Sequence, residues 1–123
     1  MHLNGVLTVS PIYLAVLGVG FMLAPRQIGV DAVPADASPA LIADLRIFGG
    51  PVLGIAVLNW MARNLEPSPA LNAIIIGNIV GFGCVTLMDI RGVFGGGARP
   101  VIHLLMTVGF IVAGRASMRA QRA

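Results

Sequence analysis

The sequence has no lysine, one cysteine, one tryptophan and one tyrosine, and only 11% of its 123 residues are charged. A soluble domain carries about 25% charged residues, and half that share cannot cover the surface of a small globule. The shortage of charge does not indicate disorder, which requires low hydrophobicity together with high charge. Here 57% of the residues are apolar and the mean hydropathy is +0.91. A single cysteine, Cys84, excludes a disulfide framework and a cysteine-rich metal site within one chain. Also missing are a glycine-rich phosphate loop, a His-Glu-x-x-His sequence, a serine nucleophile elbow and paired carboxylates within an apolar run, which argues against ordinary kinase or hydrolase chemistry. The class that remains is an integral membrane protein, with the lipid bilayer as its first partner.

All eight basic residues are arginine; against five acids they give a net charge of +3 and a sequence pI near 10.5. In a soluble protein this balance would favour nucleic acid. Here the arginines stand singly at the ends of apolar stretches, as headgroup anchors do, so nucleic acid is not an expected partner. Arginine without lysine, in a chain rich in Ala, Gly and Val, points to a GC-rich bacterial genome and hence to the bacterial inner (cytoplasmic) membrane.

The expected fold is all-α: one transmembrane domain over residues 1–123, a four-helix bundle with spans at about 4–25, 39–63, 69–90 and 100–117. Leu3 to Pro25 carries no charge and is long enough for a hydrocarbon core of about 30 Å. It has no basic segment in front, so it reads as a retained span and not as a leader. Ser38-Pro39-Ala40-Leu41 and Ser68-Pro69-Ala70-Leu71 each place an N-cap residue before a proline at the first helical position. The fourth span is short unless Arg99 and Arg115 snorkel to the interfaces. Polar connections fall at 26–37, 64–68 and 91–99, the last containing Gly95-Gly96-Gly97. Pro11 and Pro51 each remove a helical donor and are expected to interrupt their helices.

Small residues suggest a register for the second and third spans. Gly50 with Gly81 and Gly54 with Gly77 share an index sum of 131, which centres the turn at Leu65-Glu66. These four glycines are therefore expected to bring the two helices close together, as small residues do in lipid. Asn59 and Asn72 have the same sum and are expected to face each other. Both termini and the second loop lie on one side with four arginines, and the other side also has four. The second side additionally carries Asp31, Asp36, Asp44 and Asp89, which favours cytoplasmic termini.

Ionisable residues within spans are candidates for function because charge at depth is costly. Arg46, Asp89 and His103 are expected near one membrane face, with Asp44 close by. Such a cluster could hold a carboxylate, pass protons or position a headgroup; its structural alternative is an interfacial ion pair. Asn59 and Asn78, with Thr86 and Thr107, could line a polar path or simply hold helices together by hydrogen bonds. One in-span histidine and one cysteine supply no transition-metal set, and no cofactor is implied.

The layout resembles the small four-helix bacterial membrane proteins of the DoxX-like kind. The likeness lies in Leu23-Ala24-Pro25 closing the first helix, a linker, and Asp44-Leu45-Arg46-x-x-Gly49-Gly50 opening a glycine-rich helix. Such families and their relatives are mostly of unknown function, with some members that look like subunits of larger membrane or redox assemblies, and the resemblance assigns no catalytic residue. The functional expectation is a structural or accessory subunit of a membrane complex or homo-oligomer. The alternatives are a small oligomeric transporter or channel, and an enzyme or binder acting on a lipid- or quinone-like molecule.

Overall fold

The computed structural model describes residues 2–29, 33–94 and 101–121, with residues 91–94 described by backbone alone. Asp31, Gly95-Gly96-Gly97, Arg99, Pro100 and Arg122 lie outside the described residues, as does the side chain of Arg91. The elements in chain order are α1 (Leu3–Leu23), α2 (Pro25–Ile28), α3 (Pro39–Ala62), α4 (Pro69–Phe94) and α5 (Val101–Ala120), with no strand among the described residues. Four helices are long and apolar enough to cross a membrane: α1, α3, the Pro69–Ile90 part of α4, and α5. The chain is therefore an all-α, multi-pass membrane protein.

Local chemistry sets the helix starts. Ser38 Oγ accepts the Leu41 backbone N–H at 3.2 Å, and Ser68 Oγ accepts that of Leu71 at 3.2 Å. Each serine thus satisfies one of the orphan donors of a first helical turn, and Pro39 and Pro69 follow at positions where no N–H is needed. Between α2 and α3 the Arg26 guanidinium donates to the carbonyls of Pro34, Ala35 and Ala37 at 3.4, 2.9 and 3.2 Å. One side chain thereby supplies donors to a loop whose carbonyls have no helical partner.

Each long helix buries one narrow stripe and leaves apolar residues on the rest of its surface. In α4 the stripe is Leu71, Ile75, Asn78, Phe82 and Thr86, at the three- and four-residue spacing of one helical face. Outward-facing residues include Leu23, 75% exposed, and Ile47, 73% exposed. In water such a surface would associate; in lipid it is the solvated side. The buried stripes meanwhile contain Ser10, Asn59, Asn78 and Thr86.

The contacts divide into two compact units, Thr8–Met61 and Met1–Leu7 with Ala62–Ala123. In the first, α1 and α3 meet at glycines. A Cβ built on Gly18 would lie 2.8 Å from the Leu53 nitrogen and 2.9 Å from the Gly49 oxygen, and one on Gly49 would lie 2.5 Å from the Gly18 oxygen. Backbone therefore touches backbone, with no space for a methyl group. On one side of this crossing Phe21 and Phe48 meet edge to face with centroids 6.1 Å apart. On the other, Asn59 Nδ2 donates to Ser10 Oγ at 3.1 Å, with both residues fully buried. The three contacts Ser10–Asn59, Gly18–Gly49 and Phe21–Phe48 have nearly constant index sums, so α1 and α3 run antiparallel.

The glycine approach expected between α3 and α4 concerns helices of the two different units, whereas an expectation about the prolines is corrected. Gly50, Gly54, Gly77 and Gly81 are exposed, and a Cβ built on any of them meets no atom within 4 Å. The tight approach belongs to Gly49, which points about 100° around the helix from Gly50. Nor do Pro11 and Pro51 interrupt their helices: α1 and α3 run through them as continuous α-helix. A missing donor removes one bond of the ladder and leaves the flanking turns in place.

Two substitutions at adjacent positions separate these roles. Gly49→Ala must move backbone and should cost about 1–3 kcal/mol, read as a lowered thermal midpoint of the detergent-solubilised protein. Gly50→Ala enters open space and should leave the midpoint unchanged or raise it. Ser68→Ala should cost about 1 kcal/mol through loss of the cap.

Candidate functional site: a polar seam between two helices

In the unit that contains α4 and α5, the two helices form an antiparallel pair whose contacts can be followed from end to end. Asp89 meets His103, Thr86 meets Thr107, Phe82 stacks on Phe110, and Asn72 meets Gln121. The index sums of these four contacts are 192 or 193, the constant register of an antiparallel pair. Near the Asn72–Gln121 end of the pair, Gly114 admits Ile75: a Cβ at Gly114 would lie 2.5 Å from Ile75 Cγ2.

His103 Nδ1 and Asp89 Oδ2 are 2.5 Å apart, and each side chain is 18% exposed. An ionised carboxylate only accepts, so the proton of this bond sits on Nδ1 and the imidazole donates. That fixes the tautomer of the imidazole in this contact. With His103 protonated, the contact becomes an ion pair at the end of the span, where neither charge is fully withdrawn from polar surroundings. Phe82 lies beside the imidazole, with ring centroids 6.3 Å apart and planes tilted by 33°. Its own stacking on Phe110, at 5.9 Å and 19°, fills the apolar layer below.

One turn deeper, Thr86 Oγ1 and Thr107 Oγ1 are 3.2 Å apart. Each is also 2.8 Å from the carbonyl four residues back, Phe82 for Thr86 and His103 for Thr107. The polar seam therefore runs from Asp89 through His103 and its own carbonyl to the two threonines, and stops at the phenylalanines. At the opposite end, Asn72 and Gln121 exchange two amide hydrogen bonds, at 2.9 and 3.1 Å.

Of the residues singled out in the sequence, the structure brings together Asp89 and His103. Arg46 and Asp44 are exposed on α3, and neither forms a hydrogen bond or ion pair among the described residues. Asn59 is fully buried against Ser10, and Asn72 pairs with Gln121. Asn78 is buried and donates Nδ2 to the Ile74 carbonyl at 2.9 Å. Cys84 is exposed. Among the described residues no three His, Cys, Asp or Glu side chains gather as a metal set.

The sequence reading passed over Ser10, Gln121 and Ser117. For Ser10 a signal was present: a lone hydroxyl within an uncharged span requires a partner, and the buried asparagine of a neighbouring helix is a natural one. Comparison with known protein families, curated proteins and solved structures gives no match to this chain.

The seam makes a quantitative prediction. In a double-mutant cycle of Asp89→Asn and His103→Gln, scored by unfolding in mixed detergent, the two positions should couple by about 0.5–3 kcal/mol. Phe110→Ala, at the apolar layer, should cost about 3–5 kcal/mol.

Proposed function

We propose that this protein is a small structural or accessory subunit that joins copies of itself, or a larger membrane complex, through the lipid-facing sides of α3 and α4. The observation that carries this reading is the outward position of two glycine pairs at four-residue spacing, Gly50/Gly54 and Gly77/Gly81, with open space around each. A lipid-facing surface gains nothing from glycine, which gives up side-chain contact with the acyl chains. A surface that receives another helix gains close backbone approach and van der Waals contact. The glycines already used inside the chain, Gly18, Gly49 and Gly114, follow the same logic against their own neighbours.

A second reading rests on Asp89–His103. A carboxylate that holds an imidazole in one tautomer is suited to proton exchange or to holding a polar ligand. This supports a small oligomeric transporter or channel, or a binder of a lipid- or quinone-like molecule, with Arg46, Asp44, Asn59 and Asn78 as its further polar groups. We also assign the protein to a bacterial inner membrane with both termini cytoplasmic. Arg115, Arg119 and Arg122 support that orientation, as do Asp31, Asp36, Asp44 and Asp89 on the opposite side.

The test is gentle-detergent purification followed by mass analysis of the eluted species. A homo-oligomer or defined complex is expected. Gly54→Leu with Gly77→Leu should weaken it by roughly tenfold or more, the equivalent of about 1.4 kcal/mol, while the thermal midpoint of the protomer holds. An unaffected assembly would refute the glycine-face reading. If Asp89→Asn and His103→Gln leave assembly intact but abolish a measured flux or ligand retention, the second reading replaces the first. A fluorescent protein fused after Ala123 should fold and fluoresce, as a cytoplasmic fusion does.

A further inference from the structure

The unit formed by Met1–Leu7 and Ala62–Ala123 contains a partly open cavity of about 320 Å³, on residues the seam does not use. Its apolar wall is Leu3, Leu65, Pro67, Leu71 and Ala113, of which Leu71 and Ala113 are almost completely buried. His2, Asn4 and Ser117 add polar groups. The cavity exists because α5 presents Ala113 and Ala116 here, where a larger side chain would fill it. It lies where α1 begins, α4 begins and α5 approaches its end, the level at which a bilayer passes from acyl chains to headgroups.

Ser117 is the unusual member. Its Oγ is buried without a hydrogen-bond partner, the one such side-chain atom among the described residues. A hydroxyl within a helix ordinarily returns its proton to the carbonyl four residues back, as Thr86 and Thr107 do. A buried hydroxyl without a partner costs about 1–3 kcal/mol. Ser117 lines the cavity, and a change of its χ1 rotamer would turn the buried Oγ toward the cavity. An acceptor oxygen arriving in the cavity would supply the missing bond.

We infer that this cavity binds the glycerol-ester region of a membrane phospholipid, with an ester carbonyl accepting from Ser117 and the first methylenes against Leu3, Leu65 and Leu71. The volume is at the lower end of small-molecule sites, about 300–1,000 Å³, enough for the ester region while the acyl chains continue into the bilayer. A mostly apolar wall with few polar groups suits an uncharged ester better than a free anion.

The test uses purified full-length protein in detergent, titrated by native mass spectrometry with diacyl phosphatidylglycerol, its ether-linked analogue and inorganic phosphate. One diacyl lipid should be retained per chain, at least fivefold more tightly than the ether analogue. Ser117→Ala should abolish that preference without lowering the thermal midpoint, because the hydroxyl it removes has no partner in the protein. Ala113→Leu, and separately Ala116→Leu, should reduce retention of both lipids by filling the cavity. The inference is overturned if the ester preference survives in Ser117→Ala, if both filled variants retain lipid like the parent, or if inorganic phosphate displaces the lipid.

Discussion

A hydroxyl or amide inside a membrane-spanning helix has no water to bond with, and the need for an internal partner shapes the buried stripes of α1, α3 and α4. Ser10 finds Asn59, Asn78 turns to the Ile74 carbonyl, and Thr86 reaches both Phe82 and Thr107. These groups share the buried stripes with aliphatic side chains such as Leu7, Val52, Leu71 and Ile75, while many other aliphatic side chains face outward. Hydrophobic transfer does little to hold such helices together, because acyl chains are as apolar as leucine. What holds them is directional bonding and contact between surfaces that fit closely.

The fit is closest where side chains are absent. At Gly18 and Gly49 two backbones meet directly, and at Gly114 a single missing Cβ admits one branch of Ile75. Dispersion is weak for each atom pair and significant only when many pairs sit at optimal separation, so the absence of one methyl group allows whole helical surfaces to come together. Elsewhere the same small residues leave space. Ala113 and Ala116 bound a cavity, and Gly50, Gly54, Gly77 and Gly81 open outward. A small residue in this chain is thus a permission for close approach, and its surroundings decide what uses it.

That distinction explains what could be read from the sequence. The helix starts were legible because Ser38-Pro39 and Ser68-Pro69 act on their own first turns, and the solvent was legible from composition. The meeting of Asp89 with His103 was legible as well, because an antiparallel pair joined by a short connection has a nearly fixed index sum. The glycine contacts were not. Gly49 and Gly50 are adjacent and chemically identical, and only the rotation of α3 about its axis selects which one faces α1. The partners of Asn59 and Asn72 within their own units were not legible for a related reason: an amide specifies that it needs a partner and says nothing about which helix provides it. Ser10 and Gln121 supplied those partners from elements considered separately.

The two threonines leave a count that does not close. Three separations are short enough for hydrogen bonds, Thr86 to the Phe82 carbonyl, Thr107 to the His103 carbonyl, and hydroxyl to hydroxyl, but two hydroxyls carry only two protons. With the interhelical bond formed, either Thr107 donates to Thr86 and Thr86 to Phe82, or Thr86 donates to Thr107 and Thr107 to His103. Both arrangements make the same number of bonds between the same heavy atoms. The tie between α4 and α5 at this level is therefore degenerate in direction: its polarity can reverse without moving a single carbon, nitrogen or oxygen, and only one of the two arrangements leaves the His103 carbonyl without its threonine proton.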